Sequence, residues 1–471
     1  MKNILVGRAK EQTHLQELYE SGKPEFVAIY GRRRVGKTFL VRQMFEDEFL
    51  FDLVGLANAN TEKQLFNFNL AINHSKNQEF DLADNWLLAF EQLRTLIEKS
   101  KKRRKIVFID EIPWLDTPAS GFISALEHFW NGWACSRSNI MLIVCGSATS
   151  WMMNKLINNH GGLHNRLTET IHLQPFSLFE TELFLTSQGI EYNRYQVAEC
   201  YMIMGGIPYY LSKLRRGLSL EQNIDNLFFK RDAPLKDEFK NLYASLFRDA
   251  TDYVKIVEAI SKKTKGLTRN EILKAVQLQS GGTFSRNIYN LENCGFIRRY
   301  SLPTKRKREV LYQLIDAYTL FYFKYLKNFD EQDEHFWTNL ADTPQHHAWA
   351  GFAFEILVSL HINEIKRALG ILGVQTAIFA WRSGGSDQGA QVDLVIDRRD
   401  GIINLCEIKF SKTQFAIDKD YEEKLRNKIA VFKAETKTRK SIHLLMLTTF
   451  GLQKNRYFGI AQREVVLDDL F

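Results

Sequence analysis

The sequence predicts an α/β fold whose first third is a parallel β-sheet covered by helices. Three short apolar segments, 26–30, 105–110 and 139–147, are rich in β-branched residues, and helical patterns such as 91–99 lie between them. Strands that are apolar on both faces are typical of parallel sheets, because helices bury both sides of such a sheet. The chain is then predicted to be mostly helical over 176–235.

A second pattern begins near residue 240. Three short helices are predicted at 252–262, 268–276 and 282–294, and two strands at 295–302 and 308–315. Three helices followed by a hairpin are typical of a winged helix.

A domain boundary is predicted in the polar, interrupted segment 326–348. After it, residues 349–471 predict a long helix, a strand hairpin, a charged helix and a further strand.

The composition excludes several classes of protein. The chain has 471 residues, of which 45% are apolar and 25% charged, and its formal net charge is +8. At roughly 150 residues per domain, this length suggests about three domains. The two fractions exclude a disordered chain, a collagen and a coiled-coil rod. The positive charge permits a polyanionic partner without requiring one.

Cysteine usage and hydropathy predict a soluble cytoplasmic protein that does not enter a membrane. The five cysteines are odd in number and no Cys-x-x-Cys pair occurs, so neither a disulfide framework nor a zinc ribbon is expected. No apolar run reaches the ~18 residues of a membrane-spanning helix. Arg8 and Lys10 interrupt the N-terminal segment before a secretory core can form.

A phosphate-binding loop is predicted directly after the first strand. The segment 31–38 fits the pattern G-x-x-x-x-G-K-[ST] at every position and precedes a helical segment. Its residues are Gly31, Arg32, Arg33, Arg34, Val35, Gly36, Lys37 and Thr38. Backbone N–H groups and the helix N-terminus surround the phosphates in such a loop, the lysine reaches the β- and γ-phosphates, and the threonine hydroxyl holds Mg²⁺. A chance basic turn is the alternative, and the flanking strand and helix argue against it.

Two carboxylates end the strand at 105–110 and supply the second half of this site. Asp110 is predicted to orient Mg²⁺ through water, and Glu111 to polarise the attacking water. Adjacent carboxylates at a strand end can instead cap a helix, but the phosphate loop in the same chain favours the catalytic interpretation. The two motifs together predict binding and hydrolysis of ATP with Mg²⁺.

These motifs resemble those of a family of prokaryotic AAA-like P-loop ATPases that carry a C-terminal restriction-endonuclease-like domain. Val6-Gly7-Arg8, followed by Glu11, resembles the opening of such ATPases, which implies that Gly7 and Arg8 help to hold the adenine. Further matches are Gly146-Ser147, Leu173-x-Pro175-Phe176 and Gly205-Gly206-x-Pro208-x-x-Leu211.

The resemblance implies two further roles at the nucleotide. Ser147 corresponds to a polar sensor that contacts the γ-phosphate, and Arg166 to an arginine finger or sensor. Relatives usually carry glycine before this arginine, where the present chain has Asn165. A surface salt bridge is the alternative role for Arg166. A finger acts either on its own nucleotide or on that of a neighbouring copy, so an oligomer is permitted.

The predicted winged helix has a DNA-binding pattern. Its third helix carries Ser285, Arg286, Asn287 and Asn290, and the tip of its hairpin carries the basic run 305–308. A recognition helix with a basic wing is a common DNA footprint. The alternative is a module that only packs against protein, with a solvated basic turn.

A second acidic set lies near the C-terminus. Glu355 is a lone carboxylate in an apolar helix, which suggests a partner or a metal. In a regularly alternating strand, Asp393, Val395 and Asp397 share one face. On the return strand, Glu407 and Lys409 point the same way, so Asp393 and Glu407 meet across the hairpin. Two carboxylates and a lysine in this arrangement bind Mg²⁺ and position water against a phosphodiester.

This set resembles the PD-(D/E)xK nuclease signature. The resemblance implies catalytic roles for Glu355, Asp393, Glu407 and Lys409, with Asp393 and Glu407 also binding the metal. Relatives often carry a glutamate where this chain has Gln391. The alternative is a nuclease-like fold kept for packing or binding, because fold does not fix function.

The whole chain is therefore predicted to be an ATP-dependent switch that acts on DNA. The predicted domains are a P-loop AAA-type ATPase core at 1–175, a helical lid at 176–235, a winged helix at 236–330 and a nuclease-like domain at 335–471. The competing hypothesis is an ATP-gated DNA- or protein-binding regulator whose nuclease-like domain is inactive. A peptide-handling chaperone has less support, because no pore-loop pattern stands out.

Overall fold

The computed structural model divides the chain into two compact units, Met1–Pro175 and Phe176–Phe471. The residues described are 5–74, 80–159, 161–247, 249–303, 308–330, 333–383 and 389–471, with the backbone alone described for 301–303 and 308–309. Within these residues, no helix combines the length and the apolar character needed to cross a membrane.

A five-stranded parallel sheet forms the centre of the first unit. Its strands are β1 (Glu25–Tyr30), β2 (Phe49–Val54), β3 (Lys105–Asp110), β4 (Ile140–Gly146) and β5 (Glu169–His172). They stand in the order β2-β3-β4-β1-β5, and every neighbouring pair is parallel. The predicted parallel sheet is confirmed, and its strand ends all lie on one edge. Strands β2 and β5 were not predicted.

Helices bury this sheet on both faces. They are α1 (Ala9–Glu20), α2 (Lys37–Phe45), α3 (Thr61–His74), α4 (Trp86–Lys99), α5 (Phe122–Gly132) and the short α6 (Thr149–Trp151). Strands β3 and β4 are buried at every position, as parallel strands between two helical layers must be. Leu93, Leu96 and Ile97 of α4 join the same core as Val107 of β3.

The second unit begins with helices. They are α7 (Leu178–Ser187), α8 (Arg194–Met204), α9 (Pro208–Leu211), α10 (Leu220–Ile224) and α11 (Glu238–Leu246). Side chains with capping-box geometry start α7 at Ser177 and α8 at Asn193, so the first free N–H groups of each helix are paired.

Three helices and a small sheet follow. The elements are α12 (Ala250–Ser261), β6 (Leu267–Thr268), α13 (Arg269–Val276), α14 (Gly282–Asn293), β7 (Ile297–Pro303) and β8 (Arg308–Leu314). The sheet order is β6-β8-β7, and both pairings are antiparallel. The helices and the hairpin lie within two residues of their predicted bounds. Lys305, Arg306 and Lys307 of the predicted wing lie outside the described residues.

A mixed five-stranded sheet ends the chain. Four helices come first: α15 (Ala317–Phe321), α16 (Phe336–Leu340), α17 (Pro344–Leu360) and α18 (Ile362–Ala368). Three strands follow: β9 (Thr376–Arg382), β10 (Gln391–Arg398) and β11 (Ile402–Lys409). The chain then forms helix α19 (Lys419–Thr436) and strands β12 (Ser441–Thr448) and β13 (Arg463–Val466). The order is β13-β12-β11-β10-β9. Strands β9, β10 and β11 pair antiparallel, whereas β11, β12 and β13 pair parallel.

Gly206, part of the Gly-Gly-x-Pro motif, is required by close backbone packing. Its φ is +65°, and an added Cβ would lie 2.3 Å from the carbonyl oxygen of Phe176. The Phe176 N–H in turn donates to the Gly206 carbonyl at 2.8 Å. The motif thus joins the end of α8 to the start of the unit.

Gly206→Ala tests this close contact against a matched control. Gly217 also has a positive φ, of +80°, but nothing lies within 4 Å of its added Cβ. We expect Gly217→Ala to lower the free energy of unfolding by about 1 kcal/mol through backbone strain alone. Gly206→Ala should lower it by about 2–4 kcal/mol, because the clash adds to that strain. Chemical denaturation measures both, and equal losses would contradict the packing role.

Candidate functional site

The phosphate loop leaves the carboxyl end of β1 in a conformation that requires glycine at its first position. Gly31 has a φ of +149°, and a Cβ there would lie 2.3 Å from the Leu173 carbonyl oxygen. The start of the loop therefore lies directly against the backbone of Leu173, the residue that follows β5. Val35 is buried, whereas the Arg33 side chain is exposed.

The lysine and threonine of the motif lie at the N-terminus of α2, where the sequence places them. The Lys37 ammonium is buried and donates to the carbonyls of Gly31 and Arg32, at 3.0 Å in each case. The Thr38 hydroxyl donates to Asp110 Oδ2 at 2.6 Å. The loop and the end of β3 are thus in direct contact.

Asp110 is buried at the end of β3. Burial raises the pKa of Asp110, and the hydrogen bond from Thr38 acts in the opposite direction. Its second oxygen accepts the Glu111 N–H at 2.8 Å. The hydroxyl and carboxylate oxygens gathered here are the donors that Mg²⁺ prefers.

Glu111 and Ser147 are brought together from the ends of β3 and β4. The Ser147 hydroxyl donates to Glu111 Oε1, and the Ser147 N–H lies 3.3 Å from Glu111 Oε2. Glu111 adopts a φ of +47°, in the left-handed region. Both residues implied in hydrolysis therefore lie on the edge that carries the phosphate loop.

The N-terminal motif also contacts the loop. The Arg8 side chain is buried and donates to the Val35 carbonyl at 3.2 Å. Gln12 donates to the Gly7 carbonyl at 2.6 Å, which fixes the turn before α1. Gly7 and Arg8 thus adjoin the phosphate loop, and their contact with adenine stays a prediction.

Arg166 has an exposed side chain. Within the described part of the chain it forms no ion pair, so its alternative role in a surface salt bridge is not seen. Asn165, which stands where relatives usually have glycine, has a φ of +54°. Asparagine tolerates this left-handed conformation better than most other non-glycine side chains, so the turn forms without glycine.

Glu407 lies buried at the centre of the C-terminal acidic set. Its carboxylate is 3.1 Å from Lys409 Nζ, 2.7 Å from Lys428 Nζ and hydrogen-bonded by the Tyr421 hydroxyl. Burial acts to raise the pKa of Glu407, but the two ammonium groups outweigh it and hold the pKa below its ordinary value. The predicted pairing of Glu407 with Lys409 is present.

A β-bulge changes the expected alternation around Asp393. The pairing of β10 with β9 shifts by one residue between Val392 and Val395. A bulge redirects side chains, so regular alternation from Asp393 to Asp397 does not hold. Asp397 instead pairs with Lys440 Nζ at 2.6 Å. Asp393 accepts from Gln391 at 2.8 Å and lies 3.7 Å from Lys265 Nζ.

Glu355 of α17 is electrostatically linked to the rest of the set. Burial and then the Asp393 carboxylate raise the pKa of Glu355 to about 7, while Lys265 and Lys409 act in the opposite direction and Glu407 adds to the rise. The four predicted residues are therefore near neighbours. Within the described ranges, however, no group of three or more His, Cys, Asp or Glu side chains is arranged to hold a metal ion.

Sequence reasoning missed three residues of this set. Tyr421 and Lys428 lie seven positions apart on α19, and that spacing places them on one helix face. This spacing was a usable signal. Lys265 comes from the turn before β6, and no local pattern connects it with Asp393.

The predicted DNA-reading helix is only partly exposed. Asn287 and Asn290 of α14 are buried, and Asn290 donates to the Tyr253 hydroxyl at 2.7 Å. These two side chains help to hold the helix in place, so their predicted contact with DNA is wrong. Ser285 and Arg286 are exposed.

Glu355→Gln tests the linkage of this carboxyl to stability. A carboxyl with a raised folded-state pKa keeps its proton between its ordinary value of 4.5 and about 7, where the unfolded chain releases it. The free energy of unfolding therefore falls as the pH rises through this window. Glutamine cannot release a proton, so the variant lacks this fall. The free energy of unfolding of the variant minus that of wild type should therefore rise by about 1–3 kcal/mol between pH 5 and pH 8.

Chemical denaturation at both pH values, with chelator present, measures this gain. Glu423→Gln is the matched control because Glu423 is exposed on α19, and its difference from wild type should not depend on pH. A Glu355→Gln difference that is the same at pH 5 and pH 8 would contradict the buried, raised-pKa state.

Comparison with known proteins supports the nucleotide site. Residues 5–214 match a family model described as an ATPase domain predominantly from Archaea. An uncharacterized protein of Methanocaldococcus jannaschii is 25% identical over 373 residues, which cover 77% of this chain and 78% of that protein.

Two solved structures also resemble the chain. A Walker-type ATPase of Pyrococcus abyssi aligns with 68% of this chain and 96% of its own, at 18% identity and a TM-score of 0.49. The ORC2 protein of Aeropyrum pernix, in ADPNP and ADP complexes, aligns with 77% of this chain and 98% of its own, at 15% identity and a TM-score of 0.41. The family match over residues 5–214 supports an archaeal-type ATPase domain in this part of the chain.

Proposed function

We propose that this protein is an ATP-hydrolysing switch whose second unit acts on nucleic acid. The observation that carries the ATPase part is the 2.6 Å hydrogen bond from Thr38 to Asp110 beside the buried Lys37 ammonium. This contact supports the proposal, because the motif needs its lysine and threonine near an acidic strand end to bind phosphates and magnesium.

The residues at this edge fit ATP with Mg²⁺. Thr38 and Asp110 would hold the ion, which supplies positive charge to the phosphates when bound. Lys37 exchanges its carbonyl partners for phosphate oxygens. Glu111 orients the attacking water, and Ser147, which now donates to Glu111, is placed to sense the γ-phosphate. Arg166 supplies a positive charge to this reaction in the proposed scheme.

The nucleic-acid part rests on the second unit. The three helices and small antiparallel sheet at 250–314 have the element order of a winged helix, which supports that assignment. The hairpin of β10 and β11 with Glu355, Asp393 and the Glu407–Lys409 pair supports a nuclease-like site. We propose that ATP state controls how this unit meets DNA.

One observation favours the alternative of a non-cleaving regulator. Glu407 is already neutralised by Lys409 and Lys428 and hydrogen-bonded by Tyr421. A carboxylate held in this way is a poor metal ligand unless the lysines move. The same residues would then shape a binding surface.

Lys37→Ala tests the nucleotide site. Because the lysine makes charge-assisted contacts with two phosphates, its loss should weaken ATP binding by about 100-fold or more and abolish phosphate release. Anisotropy of a fluorescent ATP analogue at millimolar Mg²⁺ and a phosphate-release assay measure the two effects. Lys63→Ala, an exposed lysine on α3, is the control and should behave as wild type. Normal nucleotide binding by Lys37→Ala would refute the assignment.

Incubation with supercoiled plasmid tests cleavage. With Mg²⁺ or Mn²⁺, and with or without ATP, wild type should nick the plasmid, and Asp393→Ala and Lys409→Ala should not. Asp397 lies on the same strand as Asp393 but pairs with Lys440. The control variant Asp397→Ala should therefore keep the activity. If wild type leaves the plasmid intact in every nucleotide state, the nuclease assignment fails and the regulator is favoured.

A further inference from the structure

The second unit contains a cleft of about 830 Å³ that joins the small antiparallel sheet to the C-terminal acidic set. Strand β7 of the small sheet lies beside strand β9 of the mixed sheet. Lys265, Arg298 and Tyr300, from the small sheet and the turn before it, line the cleft together with Glu355 and Asp393 of the acidic set. The small sheet and the acidic set therefore face one shared volume.

The cleft has an excess of positive charge. Its described lining includes five basic and three acidic side chains, namely Lys262, Lys263, Lys265, Arg298, Arg382, Glu271, Glu355 and Asp393. The three lysines belong to the turn between α12 and β6, and their side chains are more than half exposed.

The lysine turn is held in place by the small sheet. The Tyr300 hydroxyl donates to the Lys265 carbonyl, and Gln313 Nε2 donates to the Thr264 carbonyl at 2.7 Å. These two bonds fix the backbone of the turn, so binding at the lysines does not first have to order that backbone.

Arg298 is a partly buried cation without a carboxylate partner among the residues that the structure describes. Its Nε donates to Gln313 Oε1 at 2.8 Å, and its guanidinium lies 5.5 Å from the centre of the Tyr300 ring. Among the described residues no carboxylate pairs with it, whereas Lys263 pairs with Glu271 at 3.1 Å. Arginine stays charged in proteins, and a buried charge without a partner is unfavourable. An anionic ligand in the cleft would relieve this cost.

We propose that the cleft binds the sugar-phosphate backbone of a nucleic-acid strand, with Arg298 on one phosphate and the lysine turn on its neighbours. The proposal rests on the nucleic-acid function proposed above and names its contact surface. A guanidinium makes paired hydrogen bonds to phosphate, and the lysines of the turn neutralise the flanking charges. The strand is thereby led towards Glu355 and Asp393, and the main contact is this cleft rather than α14.

A matched pair of neighbouring arginines tests the proposal in the full-length protein. Arg298→Gln removes the cleft cation, and Arg299→Gln makes the same change at an exposed position that faces Glu292 at 3.6 Å. The probes are short fluorescein-labelled single-stranded DNA, duplex DNA and single-stranded RNA, read by anisotropy over a range of salt. We expect Arg298→Gln to weaken binding of the preferred probe about tenfold or more and to flatten its salt dependence. Arg299→Gln should remain within about twofold of wild type.

The possible outcomes separate the cleft from the proposed function. Equal effects of the two substitutions would overturn the cleft while leaving nucleic-acid binding in place. Failure of wild type to bind any probe, with ATP binding intact, would overturn both the cleft and the nucleic-acid part of the proposed function. Failure to bind ATP would instead overturn the ATPase part. If Arg298→Gln does not fold, Lys265→Ala takes its place. Probe binding by Lys265→Ala should then be weaker than that by Arg299→Gln, and equal binding by the two would overturn the cleft.

Discussion

The hydrogen bond between Thr38 and Asp110 is the constraint on which the nucleotide site depends. It spans strand β4, which lies between β3, where Asp110 stands, and β1, which leads through the phosphate loop to Thr38 on α2. It joins positions 72 residues apart in the chain. Only a parallel sheet brings the ends of three such strands to one edge. The contact of Glu111 with Ser147 follows from the same alignment, so the chemistry of the site is a consequence of strand order.

Sequence reasoning succeeded where a local pattern carries the chemistry. The phosphate loop and the paired carboxylates are defined by neighbouring residues, and the strands that hold them are almost wholly apolar. Strand β2 was missed because Asp52 interrupts its apolar run, and Arg42 neutralises this carboxylate only after folding. The four-residue strand β5 was missed because Glu169 and His172 make this edge segment look polar.

The second site shows where such reasoning ends. The period of two along β11 was sufficient to place Glu407 beside Lys409. The bulge at Asp393 and the contact of Lys265 with Asp393 depend on tertiary packing. Neither has a signal in the local sequence. The error at Asn287 was avoidable, because Phe284, Ile288 and Leu291 define the buried face of α14 and Asn287 lies on it.

The position of β7 beside β9 also bears on the solubility of fragments. Strand β9 stands at the edge of the mixed sheet and carries the exposed apolar side chain of Ile378. An open edge strand with apolar side chains is a template for intermolecular pairing. In the intact protein, β7 of the small sheet lies next to β9 and covers part of this edge. A recombinant piece that starts after residue 330 would lose that cover and become prone to aggregation, so the acidic set is best handled together with the small sheet.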